Sequence, residues 1–143
     1  MIKKLLLLTL SALAFSFTSL SAYDLKSNML LLEAELSEVQ RNFIISDMKG
    51  VQESILRFDK HAQELFGSKE QFRALLPREK KSKVGEAVMA AQIIKHNVEI
   101  ILGEIENKHK HSGTRRREEA QRAYTYIEHA CFRCHNIVRD NTK

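Results

Sequence analysis

Apolar residues recur at steps of three and four in four successive stretches of this chain, and that spacing most constrains its fold. In residues 24–45 the positions are Leu25, Met29, Leu32, Leu36, Val39 and Phe43. In residues 48–66 they are Val51, Ile55, Phe58, Ala62 and Leu65. Residues 78–108 carry Val84, Val88, Ala91, Val98, Ile101 and Ile105, and residues 115–141 carry Ala120, Tyr124, Ile127, Cys131, Cys134 and Val138. This is the one-faced pattern of an amphipathic helix, repeated four times. Ser46 and Asp47 offer an N-cap to the second stretch, and Gly67 a stop. With 1 Pro and 5 Gly in 143 residues, the composition argues against a turn-rich β architecture. The expectation is an all-α chain forming an antiparallel up-down-up-down four-helix bundle, one domain over residues 23–143. Residues 67–77 connect the second and third stretches. They include Phe72, Leu75 and Leu76, too apolar for a solvated loop, and are expected to pack. Residues 109–114 read as a polar turn.

The first residues have a different order. Lys3 and Lys4 precede an apolar run over residues 5–17, and a short polar stretch ends at Ala22. Charged, apolar, then small is the order of a secretory signal peptide, and the run is short for a membrane span. Cleavage near Ala22 would make the chain a periplasmic protein that does not span the membrane. It would also remove two lysines and no acid, leaving a mature charge of about +3. That modest balance and an exported location argue against a nucleic-acid partner.

The chemistry lies near the C-terminus. Cys131-Phe132-Arg133-Cys134-His135 is a C-x-x-C-H sequence, the attachment signal for c-type haem. At about 100° per residue all three side chains fall within roughly 60° of one another on a helix. That face is also the apolar stripe, so one covalent haem c would enter the bundle interior, held by Cys131 and Cys134 with His135 as proximal iron ligand. A redox dithiol of the thioredoxin kind would need a βαβ pattern, which this chain lacks. A zinc site would need more cysteine or histidine ligands than cluster here. A local disulfide would leave His135 without a role.

Bundle topology extends the site. The first and fourth helices should run antiparallel, which places the mature N-terminus beside His135. Met29 stands there on the apolar face and is expected to be the distal iron ligand; Met/His ligation raises the haem potential. His61, near the end of the second stretch, is the rival, but it flanks its stripe and reads as a packing or solvated histidine. Met48 and Met89 fall too far from this end. Lys26 and Arg139 lie at the haem end and could pair with propionates. Phe72, Leu75 and Leu76 could cover a haem edge. Arg115, Arg116 and Arg117 read as a solvated helix start away from the haem, and His109 and His111 as an exposed turn.

With these residues in place the chain resembles class II cytochrome c, the cytochrome c-prime group, and the b-type periplasmic cytochrome of the same fold. The resemblance spans the mature chain and rests on C-x-x-C-H close to the C-terminus, with Arg139 four residues after His135. Val138 departs from the aromatic residue common there. At the other end, Asp24 to Met29 is similar to the helix start in which the b-type relative carries its methionine ligand. The resemblance implies one-electron transfer with redox partner proteins, as a monomer or homodimer, and Met29 points to its low-spin subgroup. Members with an apolar distal position are instead five-coordinate and bind nitric oxide or carbon monoxide. That is the alternative if Met29 only packs. No acid/base pair suggests an enzyme. A haem-free structural bundle with a C-x-x-C disulfide is the third reading.

Overall fold

The computed structural model describes residues 25–139, the side chain of Arg139 excepted. The leader expected over residues 1–22 and the last four residues lie outside the described residues. Five α-helices follow one another: α1 (Leu25–Ile44), α2 (Met48–Phe66), α3 (Lys69–Leu75), α4 (Val84–Ile105) and α5 (Gly113–Cys134). A 3-10 segment, Arg78–Lys83, leads into α4, and a π-helical turn, His135–Arg139, extends α5. No strand occurs among the described residues.

Local chemistry sets the boundaries. Ser46 takes the left-handed conformation (φ 60°) and reverses the chain after α1. The Asp47 carboxylate then accepts the Gly50 N–H at 2.9 Å, capping α2. Gly67 ends α2, but with right-handed geometry (φ −64°) rather than the left-handed stop its identity suggests. The apolar connection contains a helix, α3, capped by Ser68, whose hydroxyl accepts the Gln71 N–H at 3.2 Å. Leu76 is extended because it precedes Pro77, and α3 ends there. Pro77 also delays α4, so residues expected as its first turns form the 3-10 segment instead. After α4, Asn107 and Lys110 both have positive φ, and Ser112 caps α5 through the Arg115 N–H at 3.3 Å. The fourth helix therefore begins two residues before the expected start at 115.

Side chains between helices fix directions. Asn42 donates to Ser54 at 3.3 Å, Arg57 to Glu38 at 2.6 Å, and His61 Nδ1 lies 2.7 Å from Glu35 Oε1. Residue numbers rise on one helix as they fall on the other, so α1 and α2 are antiparallel. His111 against Glu104 (3.0 Å) and Arg133 against Glu86 (3.5 Å) relate α4 and α5 in the same way. His111 is thus tied to a buried carboxylate rather than lying in a free turn. Helix α2 also packs on α4. The core between them holds Val39, Val51, Ile55, Phe58, Ile94, Val98, Ile101 and Ile127, all essentially inaccessible. At roughly 1.5–3 kcal/mol for each large apolar side chain withdrawn from water, this core is the main source of stability. No helix of the described residues is long and apolar enough to cross a membrane.

Candidate functional site

Helices α1 and α5 meet through Tyr124. Its ring packs edge-on against Phe43, with centroids 5.9 Å apart, and its hydroxyl lies 3.4 Å from the Leu36 carbonyl and 3.0 Å from Glu128 Oε1. Adjoining this contact is a cavity of about 370 Å³, within the range of small-molecule and cofactor sites.

Each of the four long helices contributes to its wall. From α1 come Met29, Leu32, Glu33, Leu36, Ser37 and Gln40. Their three- and four-residue spacing makes them one helix face. From α2 come Phe58 and Phe66, and from α4 Ala90 and Ile94. From α5 come Tyr124, Glu128, Cys131, Phe132 and Cys134, followed by His135 on the π turn. The walls are mixed: Phe58 and Ile94 are fully buried, whereas Glu33, Ser37, Gln40 and Phe132 are exposed.

Cys131, Cys134, His135 and Met29 all line this one cavity. Met29, Cys131 and His135 are half-buried and Cys134 is buried. The π turn begins at His135, whose N–H reaches both the Cys131 and Phe132 carbonyls. Such turns are rare and concentrate at functional sites. His61 does not line the cavity; it pairs with the buried Glu35 instead. Phe72 is buried behind the wall, its ring 5.0 Å from that of Phe66, while Leu75 and Leu76 do not reach the lining. The apolar connection therefore backs the cavity rather than covering its edge. Lys26 is exposed on the first turn of α1 and is not in the lining, and the Arg139 side chain is outside the described residues.

Both cysteines are free thiols, and burial, the largest influence, pushes each up to about 11. Cys134 and Glu128 add to the effect at Cys131, and Glu86 at Cys134. Both side chains are therefore S–H at neutral pH. A catalytic dithiol needs the opposite shift, so the redox-dithiol reading loses support. Among the described residues, no group of three or more His, Cys, Asp or Glu is arranged to hold a metal ion by itself. What the arrangement offers is two thiols, an imidazole and a thioether around a space with one apolar and one polar side, a donor set that could hold a covalently attached haem.

Sequence reasoning missed the polar side of the cavity. Glu128 could have been found, since it lies one turn from both Tyr124 and Cys131 on the same helix. Glu33, Ser37 and Gln40 carry no signal of their own, because they sit on the polar side of the α1 stripe. Comparison of the chain with protein-family models, curated proteins and solved structures found no match.

Proposed function

We propose that this chain is an exported monohaem c-type cytochrome, an antiparallel up-down-up-down four-helix bundle of the class II kind, that carries single electrons between periplasmic partners. The observation that carries this reading is the convergence of Cys131, Cys134, His135 and Met29 on one cavity. Cys131 and Cys134 would hold haem through two thioether bonds, with His135 as the proximal iron ligand and Met29 as the distal one. Bound there, haem supplies a one-electron ferric/ferrous couple. The protein's share of the work is positional. Helix α5 presents both thiols and the π turn that follows it the imidazole, and α1 brings the thioether to the same cavity. Phe58, Phe66, Leu36 and Ile94 form an apolar wall that would limit water near a bound haem, a principal control on its potential. Tyr124, its hydroxyl 3.0 Å from Glu128 Oε1 and 3.4 Å from the Leu36 carbonyl of α1, links the two helices beside the space. The protein acts as a carrier rather than an enzyme.

An optical spectrum of protein produced in cells that attach haem c tests the proposal. A low-spin spectrum that changes on reduction, with the weak long-wavelength feature of thioether–iron ligation lost in Met29→Ala, is the expected result. A five-coordinate, high-spin spectrum that shifts on adding carbon monoxide would replace electron transfer by gas binding. A colourless protein would overturn both.

A further inference from the structure

Two fifteen-residue stretches of this chain are equally rich in positive charge, residues 69–83 and residues 108–122, each with six basic side chains against two acids. Residues 69–83 contain six basic side chains, Lys69, Arg73, Arg78, Lys80, Lys81 and Lys83, against two acids, Glu70 and Glu79. The 3-10 segment Arg78–Lys83 packs against the π turn that carries His135, and the start of α4 packs there too. Of the two stretches, residues 69–83 are thereby the ones placed beside the proximal end of the candidate haem site. Arg73, Arg78 and Lys83 are exposed, and none of them has an ion-pair partner among the described residues. In residues 108–122 Lys108 pairs with Glu106 at 2.9 Å, Arg122 with Glu119 at 3.1 Å and Arg115 with Glu119 at 4.0 Å, while Lys110 and Arg117 are exposed with no ion pair among the described residues; that stretch begins α5, at the end opposite the π turn. The open side of the cavity differs again, since the charged residues in its lining are Glu33 and Glu128.

From this placement we propose that residues 69–83 form the docking surface for the acidic face of a redox partner protein, which exchanges electrons at the His135 end rather than through the acidic opening between α1 and α5. The proposal rests on the cytochrome reading for its purpose. Exposed, unpaired cations beside a site steer an oppositely charged partner and raise its association rate, whereas carboxylates at the alternative opening repel it. An anionic membrane surface fits less well. Glu70 and Glu79 interrupt the cations, and Leu75 is the one large apolar residue of the segment that reaches solvent appreciably, at 36%.

An acidic [2Fe–2S] ferredoxin serves as the probe, titrated into the purified protein and followed by backbone amide shifts. The shifts should gather in residues 69–83 and 135–139. The variant R73E/R78E/K83E, which alters only exposed positions, should bind about 10-fold more weakly or worse at low salt, with the difference shrinking as salt is raised. The control R115E/R116E/R117E should stay within about twofold of the unaltered protein. In the haem-loaded protein, the second-order rate of reduction by the ferredoxin should fall with the first variant and not with the second. Equal weakening in both variants, or in neither, would overturn the proposal. So would sedimentation with phosphatidylglycerol vesicles that depends on Arg73, Arg78 and Lys83 when the ferredoxin does not bind. The amide readout needs no haem, so failure of the cytochrome reading would appear separately, as the lack of a haem spectrum.

Discussion

Met29 is half-buried on α1 and shares its cavity with His135, which lies near the opposite end of the sequence. Methionine is also a common gap-filler, so its role is separable from its packing. Met29→Leu keeps the volume and removes the sulfur. The fold should be retained within about 1.5 kcal/mol, as for volume-conserving swaps, while the reduction potential of the loaded protein falls, read by redox titration. The cysteines give a pH test on chain that has not attached haem. Burial pushes both thiols up to about 11 in the fold, whereas the unfolded chain releases those protons near the ordinary thiol value. Above that ordinary value the unfolded state binds fewer protons than the folded one. Stability from this source is therefore complete below about pH 8.5 and is lost as pH rises toward 11. Urea midpoints measured across that window should decline, and Cys131→Ser/Cys134→Ser should flatten the decline. Both residues were legible from the C-x-x-C-H spacing alone, which sets them on one helix face, and the structure brings both to one cavity.

At the scale of elements, α2 follows its sequence signals closely. Asp47 caps it, and the apolar spacing runs its length. Asp47→Ala removes the acceptor for the Gly50 N–H and should cost about 1 kcal/mol, a drop of about 4 °C in thermal midpoint. The chain around Pro77 was less legible. Periodicity marks residues 67–77 as apolar but not as a separate helix, since α3 is shorter than two full helical repeats of the pattern and its anchor, Phe72, is one residue. The start of the third long helix moved for a local reason: after Pro77 the chain winds first as a 3-10 segment. The π turn has no sequence signature at all. It depends on how the end of α5 packs against α4 and the 3-10 segment. Tyr124→Phe tests the link between α1 and α5. Losing the hydroxyl should destabilise the protein by about 1 kcal/mol, read by urea unfolding, with larger losses if Glu128 is left without a partner.

Across the whole molecule, Phe58 belongs to two structures at once, the central core and the cavity wall. Phe58→Ala should therefore cost about 3–5 kcal/mol in unfolding free energy and, in the loaded protein, shift the haem spectrum or potential by admitting water. The sequence by itself determined the helical class, most helix positions and the Cys131, Cys134 and His135 spacing on one helix face. Each of these depends on residue type at short spacing, which local physics controls. The tertiary structure decided the rest. It turned one face of α1 toward α2, through Glu35, Val39 and Asn42, and another toward the cavity, through Met29, Glu33 and Gln40. It tied His61, read from sequence as a packing or solvated histidine, to Glu35, and His111, read as part of an exposed turn, to Glu104. It also set the basic 3-10 segment against the turn of His135. These outcomes join residues far apart in the chain, and their partners are chosen by which faces remain to be buried once the helices have packed.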